Sequence, residues 1–103
     1  MTATIDIRPQ DLKIVRDILR AQLPENARVL VFGSRATGRT RRASDLDLAV
    51  DCGRPLTRAE SGALDEAFDE SDLPYRVDVV DLRGVSEGFG ASVERDGVAL
   101  EVR

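Results

Sequence analysis

The chain has 103 residues, 42% hydrophobic and 33% charged, the make-up of a soluble globular protein, and residues 1–103 are expected to form a single domain. It contains no histidine, which excludes histidine triads, histidine general bases and histidine-built zinc sites, so any acid–base or metal chemistry falls to carboxylates. A net charge of −4 argues against a broad grip on nucleic acid, and no apolar run nears the roughly 18 residues of a membrane helix. The N-terminus lacks the pattern of a signal peptide, and the lone cysteine, Cys52, cannot form an internal disulfide, so a cytoplasmic location is expected.

In chain order, Pro9 to Leu23 reads as a helix. Proline suits the first helical position, Asp11 complements the N-terminal dipole, and Leu12, Val15, Ile18, Leu19 and Leu23 recur at helical spacing before Pro24 ends the run. Arg28 to Phe32 is a short β-branched strand. Gly33 and Ser34 follow it directly, a permissive backbone point and a hydroxyl that suit the close approach of an anion. A loop with Gly38, Arg39, Arg41 and Arg42 comes next, either solvated or a positive flank for a triphosphate. Asp45 to Val50 is the second strand, with Leu46 and Leu48 pointing to a core and Asp45 and Asp47 pointing together to the other face, roughly 7 Å apart. Thr57-Arg58-Ala59-Glu60 is a capping box that opens a helix to about Ser71, with Leu64, Ala67 and Phe68 as its buried stripe. Its acidic run, Asp65, Glu66, Asp69, Glu70 and Asp72, reads as a solvated face.

Tyr75 to Leu82 is the third strand, with Val77 and Val79 on one face and Asp78 and Val80 on the other. A mid-strand aspartate is costly to bury alone, so Asp78 lies at a wet face or meets a cation, whereas Asp81 sits nearer the strand end and suits a cap. Gly84 to Arg95 reads as a weak helix presenting Val85, Phe89 and Val93, and Asp96-Gly97 turns into a last strand, Val98 to Val102.

If the three strands share a sheet, Asp45, Asp47 and Asp78 converge with no basic residue forced among them, a set of hard oxygen donors suited to Mg²⁺ or Mn²⁺. Two such ions about 3.5–4 Å apart can brace a phosphoryl centre without any histidine. The motif, Gly33-Ser34, ten residues, then Asp45-Leu46-Asp47, with the later Val77-Asp78-Val79, resembles the minimal nucleotidyltransferase domains of the polymerase-β-like superfamily. The ending, Glu94-Arg95-Asp96-Gly97-Val98-Ala99-Leu100, resembles the Glu-Gly-hydrophobic close of those domains with two residues inserted.

The resemblance implies an α/β (α+β) fold, a small mixed sheet of three to four strands with helices packed on one face. It implies Asp45, Asp47 and Asp78 as catalytic metal ligands, and Gly33, Ser34 and Arg35 as the site for ATP phosphates. The implied reaction is Mg²⁺-dependent transfer of AMP from ATP to a tyrosine of a HEPN-domain toxin, with this chain as the antitoxin. The alternative is a binding-only antitoxin that neutralises the toxin RNase by occlusion, for which Phe89, Val93 and the last strand would supply apolar surface. In either case the partner is a protein and neither nucleic acid nor a membrane. Self-association is left open.

Overall fold

The computed structural model describes residues 7–33 and 45–102. The described elements are α1 (Pro9–Gln22), β1 (Arg28–Phe32), β2 (Leu46–Asp51), α2 (Arg58–Asp69), β3 (Val77–Asp81), α3 (Glu87–Asp96) and β4 (Val98–Ala99). The four strands form one mixed sheet in the order β3-β2-β1-β4. β1 runs antiparallel to both β2 and β4, and β2 runs parallel to β3. Parallel neighbours need a crossover, and α2 provides it.

Local chemistry explains the helix ends. Pro9 opens α1, Asp11 lies in its first turn and Arg20 in its last, and the extended Leu23 ahead of Pro24 closes it. At α2 the Thr57 hydroxyl accepts from the Glu60 amide at 3.1 Å, and the Glu60 carboxylate accepts from the Thr57 amide at 2.8 Å. Arg54 grips the same carboxylate at 2.7 and 2.8 Å, and together these contacts hold its pKa down to about 2. Ser86 caps α3 by accepting from the Phe89 amide at 3.2 Å.

The main core lies between the sheet and the α1/α2 layer. It joins Val15, Leu19 and Leu23 to Val29, Val31, Leu46, Leu48, Val50, Leu64, Phe68 and Val77. Leu12, Val15, Ile18, Leu19 and Leu23 of α1, Leu64 and Phe68 of α2, and the inward Leu46 and Leu48 all belong to this core or pack against it, whereas Ala67 of the expected α2 stripe is only half-buried. α3 goes to the opposite face, where Val93 packs with Leu30 and Ala49, and Phe32, Val80 and Leu82 border them. Two helices thus share one face as expected, and the third covers part of the other.

Two details depart from the sequence reading. The last strand pairs only through Val98 and Ala99; beyond it the Leu100 amide still donates to Val29. Arg16 and Arg20 of α1 then donate to the carbonyls of Glu101 and Val102, each at 2.8 Å, and draw the chain towards α1. Asp11, expected only as a first-turn charge, is buried, at 3% exposure. It is tolerated because the Arg8 guanidinium donates to it at 3.1 Å and the Tyr75 hydroxyl lies 3.4 Å away.

Candidate active site

The register of β2 assembles the site. Asp47 is the cross-strand partner of Phe32 on one side and of Asp78 on the other. Because side chains alternate, Phe32, Asp47 and Asp78 share one face of the sheet, away from α1 and α2. Asp45 stands exposed just before β2, two residues from Asp47 and so on the same side of the extended chain. Partial burial pushes the Asp47 carboxyl pKa up, and the negative charges of Asp78 and Asp45 push it further. Asp47 therefore feels the charge of both other expected carboxylates.

Gly33 explains itself at this point. Its φ of +75° lies in the left-handed region, where a side chain is strained. A Cβ built there would also collide with the Asp47 carboxylate. The glycine thus leaves the space that the carboxylate fills. Ser34 and Arg35, expected to contact phosphate, lie outside the described residues, as do Gly38, Arg39, Arg41 and Arg42.

β3 separates its two aspartates. Asp78 faces Asp47, while Asp81 falls on the alternate face and pairs in register with Val50. Asp81 accepts from the backbone amides of Leu56 and Arg83, both at 2.9 Å, so its carboxylate is committed to the loops that flank α2 and β3.

One expectation needs correction. The carboxylates are not free of basic neighbours, because Arg76 Nε lies 3.1 Å from Asp78 Oδ1. The two-residue spacing of Arg76 and Asp78 carries the signal for it, since period-two alternation puts both on the same face. The pair is half-exposed, and such pairs contribute no more than about 1 kcal/mol, so a stronger cation can displace the arginine. Among the described residues no three Asp, Glu, Cys or His side chains already close into a metal cage. The donor chemistry nevertheless fits a hard divalent cation: three carboxylates, mutual repulsion at Asp47, and a glycine that clears the space.

Among the other described residues no three Asp, Glu, Cys or His side chains are grouped to hold a metal ion. The acidic run Asp65, Glu66, Asp69, Glu70 and Asp72 is exposed, as a solvated face should be. Cys52 is buried, and burial pushes its thiol pKa up, which keeps it protonated and unreactive. Among the described residues no helix is long and apolar enough to cross a membrane.

A carboxylate set on adjoining strands of a mixed sheet, beside a glycine turn, suits metal-assisted nucleotide chemistry. The chain belongs to the polymerase beta nucleotidyltransferase family, which it matches over residues 13–102. It is 40% identical over 99 residues to a probable protein adenylyltransferase, MntA, of Haemophilus influenzae, spanning 96% of this chain and 86% of that protein. Among solved structures it resembles a toxin–antitoxin crystallised with AMP-PNP, at 30% identity and a TM-score of 0.75, covering 88% of this chain and 73% of that one. A mutant form of the toxin–antitoxin MntA-HpeT matches at 30% identity and a TM-score of 0.71, covering 91% and 73%.

Proposed function

We propose that the protein transfers AMP from ATP to a tyrosine of a HEPN-domain toxin and thereby acts as the antitoxin of a pair. The observation that carries this reading is the cross-strand alignment of Asp47 with Asp78 beside the Gly33 turn. Similarity to a probable protein adenylyltransferase, and to a toxin–antitoxin solved with an ATP analogue, supports the same reading.

In this reading Asp45 and Asp47 hold Mg²⁺ or Mn²⁺, as two ions, and Asp78 completes the set on the acceptor side. When bound there, the metal supplies charge neutralisation on the phosphates and makes the acceptor hydroxyl more acidic. Gly33 lets the phosphate chain approach the backbone, and Ser34 and Arg35 contact its oxygens. The phenolic oxygen of the acceptor attacks the α-phosphorus, the bond to the β-phosphate oxygen breaks, and pyrophosphate leaves. Asp78 orients the acceptor hydroxyl and takes up its proton. Catalysis of this kind rests on positioning and charge, which suits a chain without histidine.

The test is the intact mass of the partner. The HEPN-domain protein proposed as the partner is mixed with this protein, ATP and Mg²⁺, in parallel with an Asp45→Ala/Asp47→Ala variant. A gain of one or more AMP units with the native protein alone is the expected outcome. No gain, with a stable complex still formed, would replace transfer by occlusion.

A further inference from the structure

We propose that Phe32 and Phe89 form the platform on which the base of the nucleotide stacks. The inference rests on the adenylyl-transfer reading and adds to it the part of the nucleotide beyond its phosphates. The chain has three phenylalanines, one tyrosine and no tryptophan. Phe68 is buried in the main core behind the sheet, and the Tyr75 hydroxyl is turned to Asp11 of α1. Phe32 and Phe89 are the two aromatic rings left for the carboxylate face.

Their placement suits a nucleotide. Phe32 is the cross-strand partner of Asp47, which puts their Cβ atoms about 5 Å apart, and it immediately precedes Gly33. Phe89 meets Phe32 edge to face, with ring centroids 5.8 Å apart and planes at 84°. Phe89 remains 42% exposed, the large hydrophobic side chain left in solvent among the described residues. It is also held in place: its own amide donates to the Ser86 cap, and Glu94 of the same helix pairs with Arg28 of β1 at 2.7 Å. A pre-positioned exposed ring packed on Phe32, which is itself the neighbour of Asp47 and Gly33, fits a molecule that carries metal-bound phosphates at one end and an aromatic base at the other. A nucleoside triphosphate has that form, with a ribose between.

The chain's lack of tryptophan provides the test. Phe89→Trp introduces a single indole, whose fluorescence a stacked adenine quenches. The full-length protein with Mg²⁺ is titrated with ATP and, separately, with inorganic tripolyphosphate, which has the phosphates but no base. Quenching by ATP and not by tripolyphosphate is expected. Phe89→Ala is expected to weaken ATP binding about tenfold or more while leaving tripolyphosphate binding unchanged, with Phe89→Leu between the two. Native ATP affinity in Phe89→Ala with a silent indole would overturn the platform and leave the transfer reading standing. An indole that responds only to the partner protein would also overturn it and make Phe89 a docking contact. Failure of the native protein to bind either ligand would remove the transfer reading and the platform together.

Discussion

The two faces of the sheet make opposite demands on the same strand. In β2, Leu46, Leu48 and Val50 turn towards α1 and α2 and are fully buried, while Asp47 and Asp51 turn to the other face, with Ala49 between them under α3. The dry face gains stability from every methylene it hides. The other face gathers charge. Asp51 is satisfied there, by Arg83 and the Gly53 amide at 2.9 Å each, and its carboxyl pKa is lowered. Asp47, two pleat repeats away, has no such cationic partner among the described residues, and its pKa is raised. In the proposed function, this difference separates a structural carboxylate from one that takes a metal ion. It follows that stability and chemistry can be damaged independently by adjacent substitutions.

Leu48→Ala should break the dry face most. Leu48 is fully buried, and a loss of about 2–5 kcal/mol is expected in urea unfolding, a large share of a small protein's stability. Transfer activity per folded molecule should hold. Asp47→Ala should do the reverse, cutting AMP transfer by about a hundredfold or more with the unfolding midpoint preserved or raised. Gly33→Ala blurs the boundary. The left-handed backbone costs roughly 1–2 kcal/mol, and the new methyl displaces the Asp47 carboxylate, so stability and transfer should fall together.

Asp47→Asn gives the smallest and most diagnostic effect. A carboxyl whose folded pKa lies above its ordinary 3.8 favours the protonated folded state, so stability falls as pH rises through the window from 3.8 to the raised value. The amide cannot ionise. In chelator, Asp47→Asn should therefore unfold at a higher urea concentration than the native chain at neutral pH, and the gap should close in acid. Saturating Mg²⁺ should reverse the order, because only the native carboxylate set gains from the cation.

Much of this comparison was legible in the sequence. Alternation in Asp45-Leu46-Asp47-Leu48 separates the faces before any coordinates are known, and the capping box at Thr57 marks the start of α2 to within a residue. What alternation within one strand cannot give is the register between strands. Nothing local states that Asp47 stands beside Asp78, or that Phe32 stands beside Asp47, since pairing is settled by the packing of the whole sheet. Arg76 is a different case: the two-residue rule places it on the Asp78 face, so its contact with that carboxylate is local and legible in the sequence. The burial of Asp11 needed partners from Arg8 and from Tyr75, 64 positions away. The sequence predicts a strand to Val102, but pairing ends at Ala99, and the carbonyls of Glu101 and Val102 accept from Arg16 and Arg20 of α1, contacts that no local pattern announces.

The proposed site depends on register, and the two aspartates of β3 test it most directly. Asp78→Asn and Asp81→Asn would be compared by the rate of AMP incorporation into the partner toxin, normalised to folded protein by circular dichroism. The account predicts a loss of about a hundredfold or more for Asp78→Asn, which stands beside Asp47. It predicts near-native transfer for Asp81→Asn, whose side-chain oxygen still accepts from a backbone amide. Full activity in Asp78→Asn with activity lost in Asp81→Asn, at equal folded fraction, would contradict it.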